Sequence, residues 1–598
     1  MFSEKYAKYP ANRIKLVLAH IFLLLPLLSH PLIWCRLFTG QMPYWGDAKF
    51  ISLPAVALLS IGVALLYPER LKKLFSKAPA RYWGIALAAS AILAVIHQII
   101  YPGSLQLLLQ GMPVLFIPLA GIALSDELRK AAPLCGAVTA AVLALFTAAG
   151  DRYLSGFPGN WNWNFTMLCA TIPALSLVIF GKKHPFRIAV GVITILMILL
   201  SVFRPELTPR GTIAAFILAT CLAPALRKID RTHRPAALTG AALAAGFIFV
   251  ATVSHKSGHL VNDSRFQLWR SSVEMVNARL LTGYGPGRFE SAVQPHITKE
   301  YFFTEYAATN HPHPHNEFLL CISDFGICGA LVLLFFAGSA LKPNTGKKCQ
   351  QDRWMVWLFI LLLMHGQVDV LLSTPLAGTW FLLTGGALSA RGIGRTPVGF
   401  KLIRFSLFAI ITAAALIFAA VQFVSGCHLR RAKLELHNKN VYQAISHLQS
   451  ANKLLPTRES RYIAGNVALF NLKRPDLAVN EFLKLDKEFC GGYIHSYGLT
   501  ARALFAAGKQ QEAREFFALE RKAFPFSALY AGFELAALQL SNASSQEKAE
   551  AAKRFEYNLK LRDLDIGNAA LIQKNPELDE RPLKWSKKPD VFPRSASL

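Results

Sequence analysis

The chain has 598 residues, of which 53% are hydrophobic and only 17% are charged. This composition excludes a large soluble enzyme, whose surface needs more charge, and predicts a bundle of membrane helices. The formal net charge of +28 does not indicate nucleic acid, because most of the excess lies in short loops between apolar segments. Membrane topology and anionic lipid account for such charge, so we expect membrane lipids and no nucleic acid as partners.

Apolar segments of bilayer-crossing length recur over residues 1–425. By the criterion of ~20 apolar residues, they predict an all-α polytopic membrane domain of about 12–13 spans. The segments lie at 15–36, 50–67, 83–101, 104–125, 131–150, 164–181, 186–203, 211–226, 235–254, 317–341, 354–372, 376–390 and 402–424. The first of them lacks a small-residue cleavage site, so we expect a retained anchor.

Lysine and arginine residues are concentrated in alternate loops, as in 70–81, 182–187 and 227–234. The positive-inside rule then predicts a cytoplasmic N-terminus in a bacterial inner membrane. It places the large 255–316 loop and everything after about 425 in the periplasm.

Residues 428–540 show helical periodicity with breaks near 438–440, 473–476 and 508–510. Small residues recur every 34 or 35 positions, each followed four positions later by a larger one: Ala444 and Leu448, Ala478 and Phe482, Ala513 and Phe517. This pattern resembles tetratricopeptide repeats and predicts an envelope protein as partner, with a generic helical hairpin array as the alternative. Residues 541–598 are predicted to be helical, then disordered. Cys427 and Cys490 are both predicted to lie in the periplasm, where a disulfide between them is possible.

A polar segment at about 262–329 interrupts the apolar pattern. It contains a DSRFQLW run with Arg265 and Trp269, an LTGYGPG turn around Tyr284, and an HPHPHN run that ends in His315 and Asn316. A membrane protein that keeps arginine and histidine beside hydrocarbon usually uses them, because charge there is expensive to hold. The functional site is therefore predicted in this segment.

One spacing in this segment resembles the signature of the bacterial O-antigen ligase and polymerase superfamily, which includes protein O-oligosaccharyltransferases. It consists of His315-Asn316, nine further residues and then Gly326-Ile327-Cys328-Gly329. A TPRG run at 208–211 and an HGQVD run at 365–369 agree with it in order, so the resemblance covers roughly 150–390. It implies a GT-C-like membrane fold that moves a glycan from undecaprenyl diphosphate to an acceptor hydroxyl on the periplasmic face. The acceptor, whether lipid A core, another glycan or a protein, stays open. No metal, ATP or other cofactor is implied.

The chemistry of that reaction suits three residues in particular. The leaving diphosphate gains negative charge, so Arg210 and Arg265 are the predicted bidentate clamps. Histidine titrates near neutral pH, so His315 is the predicted base for the acceptor hydroxyl. Seven further residues are predicted to bind substrate or to support these groups: Asn316, Trp269, Tyr284, Asn160, Asn162, His313 and Asp369.

Other interpretations of the same residues remain open. An arginine at a helix end can simply extend to lipid headgroups. His311, His313 and His315 alternate with prolines and suggest a metal clasp, although alternate residues of an extended chain do not all converge on one side. His365 and Asp369, one helical turn apart, suggest a structural pair. For the whole chain, a transporter of lipid-linked sugars and an envelope scaffold are the competing functions.

Overall fold

The computed structural model describes residues 10–28, 52–77, 80–100, 105–148, 161–180, 215–216, 218–220, 264–298, 301, 311–342, 350–372, 374–393, 402–489 and 492–567. Across these ranges the chain forms helices and no strand, which confirms the all-α prediction.

Most helices of the first part of the chain are apolar and pack around one aromatic-rich core. Helices α1–α7 are Pro10–Leu28, Ser52–Leu66, Pro68–Phe75, Ala80–Ile100, Leu105–Ala123, Ser125–Ala148 and Trp161–Phe180. Helices α8–α10 are Ser264–Ala278, Phe289–Val293 and Glu317–Phe325, and α11–α14 are Ile327–Ala340, Gln350–His365, Pro375–Ser389 and Leu402–His437. Trp83, Trp354 and Trp380 are fully buried in the shared core.

Close packing holds these helices together, since lipid tails are as apolar as the side chains they would replace. Glycine permits a close approach between α5 and α13. A Cβ at Gly386 would lie 2.2 Å from the Pro118 carbonyl oxygen, and one at Gly121 would lie 2.5 Å from that of Leu383. The two backbones therefore touch directly.

Two described helices are long and apolar enough to cross a bilayer alone, Ala80–Ile100 and Ile403–His437. Two bent pairs meet the same test together: Leu53–Leu66 with Pro68–Phe75, at 89°, and Gly111–Ala123 with Ser125–Ala144, at 100°. The described residues thus contain two to four such spans. The segments 186–203 and 235–254, and most of 211–226, lie outside the described residues, so the total of about 12–13 spans stays a prediction.

Two predicted spans have a different form in the structure. The 317–341 segment is two helices, because the chain turns at Gly326 with φ 61°, where a Cβ would lie 2.4 Å from the Leu281 carbonyl oxygen. The nine-residue α10 that precedes the turn is too short to cross a membrane. Helix Pro375–Ser389 is buried along its whole length and spans only ~22 Å, so it is a core helix.

The C-terminal part is a series of helices, α15–α21: Val441–Leu454, Arg458–Asn466, Pro475–Phe489, Ser496–Ala506, Gln510–Ala523, Ala528–Gln539 and Ser545–Gly567. The predicted breaks match the helix ends, and the six predicted repeat positions are all buried. The tetratricopeptide assignment, the exported location and the partner remain predictions. Helix Leu402–His437 runs without a break through the predicted domain boundary at 425–428. Cys490 lies outside the described residues, so its pairing with Cys427 also stays a prediction.

The C-terminal helices contact the polar segment through Arg458, the first residue of α16. Its guanidinium pairs with the Glu290 carboxylate and donates to the Gly287 carbonyl oxygen. Only 14% of the Arg458 side chain and 6% of the Glu290 side chain are exposed. A pair this buried holds its elements together, because removing one partner leaves a buried charge alone.

Arg458→Ala is therefore expected to loosen the 287–298 segment by about 3 kcal/mol. Hydrogen exchange of that segment in the purified protein should quicken, and adding Glu290→Gln should partly restore protection. Arg474→Ala is the matched control, since the Arg474–Asp476 pair is more than half exposed and should contribute little. Unchanged exchange in Arg458→Ala would contradict the docking role.

Candidate functional site

His315 and Asp369 form the centre of the candidate site. His315 Nδ1 lies 3.2 Å from Asp369 Oδ1, although the two residues are 54 positions apart in the chain. The Asp369 side chain is 2% exposed, whereas 28% of the His315 side chain remains accessible. A buried carboxylate on one ring nitrogen fixes the orientation of the imidazole, which is the arrangement of a general base.

The backbone at His315 is held in an uncommon conformation. Its φ of 53° lies in the left-handed region, which costs energy for a residue with a side chain. Such strain clusters at functional sites, where the surroundings enforce it. Here Asn316 enforces it: its Oδ1 accepts from Leu319 N at 2.9 Å and caps α10, and its Nδ2 donates to the Gln367 carbonyl oxygen at 2.8 Å. Both ends of the Asn316 amide therefore have protein partners.

Helix α8 brings two more predicted residues to the same place. Arg265 Nη1 donates to the Val368 carbonyl oxygen at 3.1 Å, beside Asp369. Trp269 Nε1 donates to the Pro314 carbonyl oxygen at 2.9 Å, next to His315. The first turns of α8 thus support both the segment with the base and the segment with the carboxylate.

Asp369 is kept ionised by its neighbours. It lies in the 366–372 turn, after α12 ends at His365. Burial alone would raise the pKa of the Asp369 carboxyl, but the His315 hydrogen bond and the nearby His365 and Arg265 outweigh burial and hold that pKa well below its usual range. The site therefore carries a permanent negative charge behind His315.

The predicted turn around Tyr284 lies at the other end of α10. Tyr284 N donates to the Ser323 carbonyl oxygen at 2.8 Å and Gly285 N to that of Asp324 at 3.0 Å. The Tyr284 hydroxyl donates to the Met275 carbonyl oxygen at 3.1 Å. Given the rise of an α-helix, this turn is roughly 12 Å from His315, so the structure does not bring Tyr284 to the base.

The three alternating histidines make different contacts. His311 hydrogen-bonds the Tyr301 hydroxyl, and the His313 ring packs edge-on against that of His315, with centroids 4.8 Å apart. Within the described ranges, no group of three or more His, Cys, Asp or Glu side chains could hold a metal ion.

Three further predicted site residues are described only in part or not at all, and His365 has an additional partner. Arg210 and Asn160 lie outside the described residues; Asn162 lies in helix Trp161–Phe180, but its side chain is not described. His365 Nδ1 lies 2.7 Å from Thr166 Oγ1, so its hydrogen bond goes to α7. Asp369, the partner suggested by sequence spacing, donates its backbone N–H to the His365 carbonyl oxygen at 3.1 Å, while its carboxylate hydrogen-bonds His315.

Comparison with known families addresses the segment that contains the base. Residues 165–334 match the family model described as O-antigen ligase. No curated protein and no solved structure matches the chain. The O-antigen ligase match covers less than half of the chain, and it supports a ligase- or polymerase-type function in a bacterial membrane protein.

The O-antigen ligase match contains Arg265 and His315 but ends before Asp369. Only the fold joins the carboxylate to the base. Sequence reasoning also missed Glu317, which directly follows Asn316 and is 2% exposed. An acidic residue at the start of an apolar stretch is itself a functional signal. That signal was present in the sequence at Glu317.

Proposed function

We propose that this protein is a membrane glycosyltransferase of the O-antigen ligase type. It moves a glycan from undecaprenyl diphosphate to an acceptor hydroxyl on the periplasmic face. The observation that carries the proposal is the pairing of His315 with buried Asp369, beside Arg265, in and next to the segment that resembles O-antigen ligases.

His315 is the proposed base. The acceptor oxygen attacks the anomeric carbon while its proton passes to the ring nitrogen of His315 that faces away from Asp369. The bond from that carbon to the diphosphate oxygen breaks, and undecaprenyl diphosphate leaves with the electron pair. Asp369 stabilises the imidazolium formed in this step, as a carboxylate does behind other catalytic histidines.

Arg265 and Arg210 are the proposed clamps for the leaving diphosphate. Arginine presents five N–H donors in a planar fork that matches two phosphate oxygens at once, and the Val368 bond holds Arg265 beside the base. These charges stabilise the departing phosphate oxygens. Because the donor carries its own leaving group, the reaction needs no ATP, and the arginines take the electrostatic role that a metal has elsewhere.

The acceptor that we propose first is lipid A core or another glycan. Transfer to a protein, or polymerisation of glycan repeats, uses the same chemistry with a different acceptor. The contact of Arg458 with Gly287 and Glu290 favours a bulky acceptor, because it brings the C-terminal helices next to the polar segment.

Deletion of the gene tests the class of function. A transferase deletion should leave lipid-linked glycan on the periplasmic side of the membrane and remove glycan from lipopolysaccharide, polysaccharide or glycoprotein. Complementation with Arg265→Lys should restore little transfer, a loss of about 2–3 kcal/mol, because lysine keeps the charge but not the fork. Accumulation on the cytoplasmic side would instead indicate a transporter and overturn the proposal.

A further inference from the structure

The 366–372 turn that presents Asp369 is held from one side by the residues that follow His315. Glu317 N donates to the Gly366 carbonyl oxygen at 2.9 Å, and Glu317 Oε1 accepts from Leu372 N at 2.8 Å. Glu317 thus binds both ends of the turn, with Asp369 between them. A Cβ at Gly366 would lie 3.2 Å from Glu317 Cγ, so the turn also packs directly on this side chain.

The Glu317 carboxyl group is in an unusual setting for an acid. It is 2% exposed, and its Oε2 is buried with no hydrogen-bond partner. The ionisable groups that face it are Asp369 from the turn, and Asp324 and Cys321 from its own helix. Among the described lysines and arginines, none forms an ion pair with it.

An ionised Glu317 would therefore be a buried, unpaired charge beside the permanent negative charge of Asp369. Such a group avoids the cost by keeping its proton. The pKa of Glu317 is raised to about 8, chiefly by burial; the backbone N–H groups of Leu372 and Leu371 oppose this rise, and the aspartates Asp324 and Asp369 add smaller increases. The different environments of these two neighbouring carboxyl groups thus move their pKa values apart, so that Asp369 is ionised and Glu317 is protonated at neutral pH.

We propose that Glu317, as a neutral carboxylic acid, is the positioning residue that fixes the 366–372 turn so that Asp369 faces His315. Its neutrality leaves a single negative charge behind the base, and its Oε1 keeps the Leu372 N–H paired in a buried site. The proposal rests on the proposed function, because it assigns a role within the same catalytic pair.

The test compares Glu317→Gln, Glu317→Ala and wild-type protein, purified in detergent and assayed with a lipid-diphosphate glycan donor. Glutamine keeps the neutral shape and the acceptor oxygen, so kcat at pH 7 should stay within about 3-fold of wild type. Alanine removes the link to Leu372, so kcat should fall about 100-fold with KM little changed, since a misplacement near 1 Å has an effect of that size. Ser323→Ala is the matched control, because the Ser323 hydroxyl bonds only within α10, to Leu319.

The pH profile separates positioning from general loss of structure. Above pH 8 Glu317 ionises in the wild type and kcat should decline, whereas Glu317→Gln has no proton to lose there and should keep its activity. Equal damage from glutamine and alanine, or the same alkaline decline in Glu317→Gln, would overturn the neutral-acid role. Wild-type kcat in Glu317→Ala would overturn the positioning role.

Hydrogen exchange of the 366–374 peptide gives a readout that does not require transfer. Exchange should quicken in Glu317→Ala and stay near wild type in Glu317→Gln. If wild-type protein transfers no glycan but shows this pattern, the proposed function fails while the Glu317 contact stands. Unchanged exchange in Glu317→Ala would overturn the inference itself.

Discussion

His315→Ala is expected to abolish glycan transfer while the protein still inserts into the membrane normally. The imidazole is the only group of the His315–Asp369 pair that is accessible, and general-base assistance is typically worth ~10²–10⁴-fold in rate. The measurement is the initial transfer rate of the purified variant, at a protein amount matched to wild type by quantitative blotting.

The neighbouring histidines provide the controls for this change. His311→Ala and His313→Ala should be milder, because His311 bonds Tyr301 and the pairing with buried Asp369 belongs to His315. Equal inactivation by all three substitutions would contradict the base assignment and favour the histidine clasp.

Asp369→Asn is expected to lower transfer by roughly 10²–10³-fold while leaving the fold intact. The amide matches the carboxylate in size but carries no charge to stabilise the imidazolium, and the corresponding change behind other catalytic histidines has a large effect. The loss should appear in kcat, because Asp369 is 2% exposed and contacts the base rather than solvent.

Asp352→Asn is the matched control on the same helix–turn segment. Asp352 is also a shielded carboxylate, paired with Arg129 at 3.2 Å, but it lies at the opposite end of helix Gln350–His365 from the site. It should retain most activity. Comparable losses in both variants would mean that Asp369 acts through stability alone.

The sequence identified the chemistry of the site but not its assembly. The motif that ends in His315 and Asn316 could be predicted because its residue types suit a base next to a membrane, and Arg265 and Trp269 indeed lie beside it. The pairing of His315 with Asp369 could not, since it depends on where α12 ends. Helical spacing suggested His365, which does lie near enough to Asp369 to affect its pKa, but the hydrogen bond to His315 comes from a segment 54 positions away.

The ends of helices that depend on local sequence were likewise easier to predict than turns and burial that depend on tertiary contacts. The C-terminal breaks could be located because Pro475 and Gly508 are residue types that interrupt helices, and Gly508 does adopt a left-handed backbone conformation. The turn at Gly326 could not, because it depends on the contact with Leu281 from a distant segment. The burial of Pro375–Ser389 on all sides also arises from tertiary packing, which hydropathy alone does not distinguish from a membrane span.

The most direct test of the account is transfer by purified wild-type protein, given a lipid-diphosphate glycan and candidate acceptors, with and without EDTA. The account predicts glycan on the acceptor hydroxyl and free undecaprenyl diphosphate in equal amounts, without ATP and at the same rate in EDTA. His315→Ala should show neither product. Strict dependence on a metal ion, or wild-type transfer by His315→Ala, would contradict it.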